Sequence, residues 1–302
     1  MVILNKCNLE FLKRLNFTDF DMAPIYREKD INPLVSGWRV TKDEGIIDVS
    51  IADILGSNIF DRYVHNIPEA LDQFFEENSD GYHTRSLGLL KLDRNEIIDR
   101  LQSSFRIEPI CVTEIEDGKY VISTNGMHRY VVLRLMYLSE VMEAKTDEEI
   151  ASINERYTIP VEAKTADLEV SYAMYLISAF DLNHEIRGIF TDCDENYRQN
   201  GGVVVRFNNG NEVKYTRDQL LDYIKNIDQS IAYPDFFENG DNDKLYHIVR
   251  SQESIESFKK FSSLYCPNLQ KHITLYSEKV KEEYDKAHVV DYYFGDMKRG
   301  GL

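Results

Sequence analysis

The sequence predicts an α+β protein, on three observations. Its middle third alternates short apolar runs with helix-length amphipathic stretches, the pattern of a small α/β unit. Its last third opens with two β-branched runs around Asn208-Asn209-Gly210, a tight-turn signal, and then turns to helical spacing. The first 85 residues mix both kinds of stretch without a fixed alternation. Three parts are expected: an N-terminal α+β cap over 1–85, a central α/β domain over 86–188, and a C-terminal hairpin followed by helices over 189–302.

In the cap, 9–15 and 67–75 have helical spacing, and Pro68 suits a first helical turn. Trp38-Arg39-Val40 and 46–50 read as strands, and the polar run 76–81 as a loop. In the central part Asp93 caps a helix over 94–102, with Glu96 three residues on as its capping-box partner. Strands follow at 109–113 and 120–123 around the turn at Asp117-Gly118. A helix over about 128–142 buries Val131, Val132, Leu135 and Leu138. After an acidic stretch around Asp147 come a strand at 159–163 and a helix over 167–181. In the last third, strands 203–207 and 211–215 flank the Asn-Gly turn, Thr216 caps a helix, and further helices run over 253–264 and about 269–288, Pro267 standing between them.

Charge limits the partners. Basic and acidic side chains number 9 and 15 over 1–85, 11 and 18 over 86–188, and 15 and 19 over 189–302. No part is basic, and binding duplex nucleic acid requires lysines and arginines to neutralise several phosphates, so a DNA-binding arm is not expected. No apolar run reaches the length that spans a bilayer, and the first residues lack the apolar stretch of a secretion signal; a cytoplasmic location is expected. Cys7, Cys111, Cys193 and Cys266 have no metal-ligand spacing and read as reduced structural thiols.

The chemistry is concentrated at Thr124-Asn125-Gly126-Met127-His128-Arg129-Tyr130. A short strand leads to a glycine, and His128 and Arg129 follow where a helix should begin. A helix N-terminus offers unpaired N–H groups and partial positive charge, a glycine lets an anion approach the backbone, and Arg and His add donors.

The run from Pro109-Ile110-Cys111-Val112 through Asp117-Gly118-Lys119-Tyr120 and the glycine box to Ile159-Pro160-Val161 resembles the ParB/sulfiredoxin superfamily over about residues 86–188. That resemblance implies that Asn125, Gly126, Met127, His128 and Arg129 bind the phosphates of a nucleoside di- or triphosphate (ATP, ADP or CTP) with Mg²⁺. The superfamily includes partition CTPases, sulfiredoxin and archaeal free-serine kinases. Sulfiredoxin's catalytic cysteine is replaced here by Met127, which cannot form a thiolate. Partition proteins carry Glu-Arg-Arg at the box and a helix-turn-helix after it, where this chain has Met-His-Arg and a hairpin. The His-Arg pair is most similar to the serine kinases, although no carboxylate at His83-Thr84-Arg85-Ser86 matches their catalytic acid. Arg187, in Asn183-His184-Glu185-Ile186-Arg187, falls near the place of a second nucleotide contact.

Each residue has a plainer reading beside the functional one. His128 is a phosphate donor and catalytic group, or a helix-start residue; Arg129 a phosphate ligand, or half of a pair with Glu108 or Glu169. Glu108 is a catalytic or Mg²⁺-holding carboxylate, or a surface glutamate, and Arg106 a phosphate contact, or a solvated arginine. The aromatic tail with Tyr284, Tyr292, Tyr293 and Phe294 reads as packing or a partner contact. The function expected is nucleotide binding with kinase-like phosphotransfer to a small-molecule acceptor; the alternative is a non-enzymatic ParB-like protein, DNA-associated or regulatory.

Overall fold

The computed structural model describes residues 6–17, 23–38, 41–57, 64–74, 89–191 and 202–297. Residues 1–31 with 41–165 form one compact unit, and 32–40 with 166–302 form another. The class is α+β: a mixed five-stranded sheet with helices in the first unit, a three-stranded antiparallel sheet with helices in the second. This division differs from the three parts expected, and the cores give the reason. Phe11, Leu12, Ile67 and Leu71 of the supposed cap enter the same core as Val131 and Leu135, while the helix after Asp167 centres the other core with Val203 and Val205 of the hairpin. The expected loop at 76–81, the cluster at 83–86, Arg39, Val40 and Cys193 lie outside the described residues, as do the side chains of Cys7, Tyr292, Tyr293 and Phe294. Trp38 sits in a turn, not a strand.

In the first unit the chain runs α1 (Lys6–Arg14), α2 (Glu28–Ile31), β1 (Thr41–Ser50), β2 (Ile54–Ser57), α3 (Ile67–Phe74), α4 (Arg94–Ile107), β3 (Ile110–Glu116), β4 (Lys119–Ile122), α5 (Met127–Glu143), α6 (Asp147–Arg156) and β5 (Thr158–Ala166). Asp93 caps α4 through the Glu96 N–H, and Glu96 accepts from the Asp93 N–H in return, as the spacing predicts. Sheet order is β1-β5-β3-β4-β2; β3 is antiparallel to β4 and parallel to β5, and β2 is parallel to β4. Tyr130, Val131, Val132, Leu133, Leu135 and Met136 of α5 are all 0% exposed, so this helix is the centre of the core. Each such side chain contributes about 1.5–3 kcal/mol by burial. One consequence of the hairpin sets the site: because β4 runs back along β3, its end meets the start of β3, and Ser123 donates to the Cys111 carbonyl at 2.9 Å. The start of α5 is thereby held against the end of α4.

The second unit runs α7 (Leu168–Phe180), β6 (Ile186–Thr191), β7 (Val203–Phe207), β8 (Glu212–Tyr215), α8 (Arg217–Ser230), α9 (Tyr233–Asn239), α10 (Asn242–Ser254), α11 (Glu256–Tyr265) and α12 (Pro267–Met297). Gly210, at φ +87°, closes the β7–β8 hairpin, and Thr216 with Gln219 forms a capping box on α8. Tyr172 stacks edge-on to Phe258 and Phe261 and takes a hydrogen bond from Asn32 Nδ2 at 2.9 Å. Leu34 and Val35 are fully buried in this core, which places the short segment 32–40 in the second unit. No helix among the described residues is long and apolar enough to cross a membrane.

Candidate functional site

Gly126 is the residue before α5, with φ 95° and ψ 10°, and no side chain caps the helix there. The left-handed backbone is one that glycine adopts without strain. Its lack of a Cβ has a different cause from the one expected: a Cβ here would stand 1.8 Å from Ile110 Cγ2, so the space is taken by the first residue of β3, not reserved for an anion. The same Cβ would stand 3.3 Å from Arg129 Nη2, which places the guanidinium beside the glycine.

Arg129 is half-buried and fixed along one edge. Its Nη1 donates to the Ser104 carbonyl at 3.3 Å, to Ser104 Oγ at 3.1 Å and to the Glu108 carbonyl at 2.6 Å, and the guanidinium lies 5.0 Å from the centre of the Phe105 ring. Those acceptors are at the end of α4, where four carbonyls lack helical partners and the dipole favours a cation. Burial lowers the Arg129 pKa from its ordinary value, opposed by the nearby Glu108. A guanidinium carries five N–H donors, and Nη2 has no acceptor among the described residues.

Glu108 follows α4 directly and is exposed. Its carboxylate accepts from Asn125 Nδ2 at 2.7 Å while its carbonyl accepts from Arg129. The structure therefore brings Asn125, Gly126, Arg129 and Glu108 together, with His128 partly buried in the first turn of α5. Met127 packs in the core at 6% exposure, so its side chain belongs to the fold and only its backbone N–H to the box. Arg106 is exposed in the last turn of α4, and Arg187 is exposed on β6 of the second unit. The pairing of Arg129 with Glu169 is not made; Glu169 pairs with Arg217 in the second unit.

Ser104 and Phe105 hold Arg129 and were not picked out from the sequence. Phe105 lies beyond the helix expected over 94–102, which runs on to Ile107, and no local signal connects it to an arginine 24 positions on. Among the described residues, no group of three or more His, Cys, Asp or Glu side chains is placed to hold a metal ion. Cys111 and Cys266 are free; Cys111 Sγ lies 3.3 Å from Glu162 Oε2 across β3 and β5. Comparison with protein-family models, curated proteins and solved structures finds no match.

Proposed function

We propose that the start of α5 is a phosphate site for a nucleoside di- or triphosphate (ATP, ADP or CTP, with Mg²⁺), as in ParB/sulfiredoxin-like proteins, and that the protein is a cytoplasmic kinase-like phosphotransferase acting on a small molecule. The observation that carries this reading is the division of labour within Arg129. Nη1 is spent on α4, and that anchoring leaves Nη2 beside Gly126 at the uncapped end of a 17-residue helix. Partial charge of the helix, its first N–H groups and an oriented guanidinium then act on one small volume, which is the arrangement that binds phosphate oxygens and stabilises charge developing on them. His128 adds a further donor in the same turn. Mg²⁺ commonly takes one or two protein carboxylates and completes its shell from phosphates and water; Glu108 is the carboxylate of the box. When bound, the nucleotide supplies the transferable phosphoryl group; the protein's share is to hold and orient it.

A second reading, a non-enzymatic ParB-like protein that is DNA-associated or regulatory, is favoured by the packing of Gly126 on Ile110, which accounts for the glycine without any ligand. The test is a thermal-shift series with ATP, ADP and CTP, with and without Mg²⁺. A ligand at about 100 times its dissociation constant adds about 2.7 kcal/mol of stability, a readily measured rise in Tm. His128→Ala should then weaken binding with little loss of fold, whereas Arg129→Ala should weaken both, because it also releases the end of α4. Absence of any shift for the wild type, or duplex DNA binding at about 0.15 M salt, would favour the second reading.

A further inference from the structure

The last turn of α1 carries Lys13 and Arg14. Arg14 Nη1 donates to the Leu92 carbonyl at 3.1 Å and Nη2 to the Leu90 carbonyl, which draws the turn at 89–92 against the helix. Between them lies a pocket of about 430 Å³ lined by Glu10, Phe11, Lys13, Arg14, Leu90 and Lys91. That volume falls in the range of small-molecule sites, roughly 300–1,000 Å³.

Phe11 and Leu90 at its base are only 1% and 2% exposed, and the Arg14 guanidinium lies 5.6 Å from the centre of the Phe11 ring, so the apolar surface left to a ligand is the side-chain stems of the exposed Lys13 and Lys91. Around the pocket stand three cations and one carboxylate, a lining of net +2 in a chain of net −17. Elsewhere Arg94, Lys119, Arg156, Arg217 and Lys281 face carboxylates. Among the described residues Lys13, Arg14 and Lys91 form no ion pair. A helix C-terminus attracts cations, which accounts for Lys13 and Arg14. It does not account for Lys91, which comes from the separate turn and brings a third charge to the same space.

We propose that this pocket binds an organic phosphate monoester. Its dianionic head would sit between the Lys13 and Lys91 ammonium groups, matching the +2 lining, and its apolar body would lie along the stems of those lysines. The site is distinct from the one at Gly126 and does not depend on it.

Isothermal titration of the full chain with phenyl phosphate tests the proposal. Saturable binding is expected, with inorganic phosphate weaker by about threefold because it leaves those stems uncovered. Lys13→Glu/Lys91→Glu should weaken phenyl phosphate by about tenfold or more, and added salt should weaken it in the wild type. Both lysines are exposed, so the fold should survive, and Lys91→Gln alone should give a smaller loss in the same direction. His128→Ala should leave this affinity unchanged. No binding to the wild type, equal affinity in the charge-reversed variant, inorganic phosphate binding as tightly as the ester, or loss of binding in His128→Ala would each overturn it.

Discussion

A side chain at position 126 would meet two obstacles at once, the left-handed backbone and the methyl group of Ile110. Gly126→Ala is expected to cost about 2–4 kcal/mol, from roughly 1 kcal/mol or more of backbone strain and 1–3 of overpacking. Pairing it with Ile110→Ala separates the two: the double variant should lose less than the sum of the single ones, and strict additivity in urea unfolding would show that the clash is not the cause. Tyr130 gives a pH prediction. A phenol in the unfolded chain loses its proton near pH 10, and burial pushes that of Tyr130 up to about 12. Between those values the folded state keeps a proton that the unfolded chain has released, so stability is full below pH 10 and falls with rising pH by about 1.4 kcal/mol per pH unit. Tyr130→Phe forfeits the hydrogen bond to the Ile54 carbonyl at 2.9 Å, but urea midpoints measured from about pH 9 to about pH 12 should lose one proton's worth of slope. An identical slope in the variant would count against it. At this scale the sequence shows a glycine leading into a helix but not its left-handed backbone, since the residue before a helix is ordinarily extended. It does not show Ile110 or Ser104 as partners, because those contacts are made by the hairpin and by the end of another helix.

The last helix shows how one buried carboxylate starts an element. Asp228 is 1% exposed on α8 and accepts from the Asn268 and Leu269 N–H groups at 3.0 Å each and from the Tyr233 hydroxyl, while its own carbonyl accepts from Asn268 Nδ2 at 3.1 Å. It is a helix cap supplied from 40 residues away. Asp228→Ala should cost on the order of 3 kcal/mol or more, since two N–H groups and a hydroxyl lose their acceptor together. Asp228→Asn, which keeps one oxygen, should cost less; equal losses in chemical denaturation would contradict the capping role. Local caps were legible: Asp93 with Glu96 and Thr216 with Gln219 form the boxes that their spacing implies. Six elements were not read: α2, β2, α6, β6, α9 and α10. The acidic stretch at Asp147 is the first turn of α6, capped by Thr146, where carboxylates complement the helix dipole. Helices α9 and α10 lie where no helix was read, and α10 ends at Ser254 so that the expected helix at 253–264 begins only at Glu256. Pro267, taken as a spacer, is the first residue of α12, the position where its missing N–H costs least.

For the whole molecule, the decisive feature is that residues 32–40 belong to the second unit while the chain on both sides of them belongs to the first. Fold class was readable because period and turn signals are local; this division was not, since no composition change marks a segment that buries only a few side chains. A fragment of 166–302 lacks Leu34 and Val35, both 0% exposed, and should be about 3–6 kcal/mol less stable than the same unit in the full chain. Circular dichroism during urea unfolding should show a shallow transition for the fragment, sharpened by adding a peptide of residues 32–40; a fragment as cooperative as the parent would sink the idea. On the ribosome, the same topology makes residues 32–40 wait, with Leu34 and Val35 unplaced, until the remainder of their unit has been synthesised. Once that remainder exists, the place of Leu34 and Val35 in one chain can be filled by the segment of a neighbouring chain, a route to intertwined pairs when translation is crowded. A single cut between residues 165 and 166 leaves the first unit whole but takes 32–40 with it, so a gene rearrangement with one crossover cannot carry the second unit alone and intact to another protein.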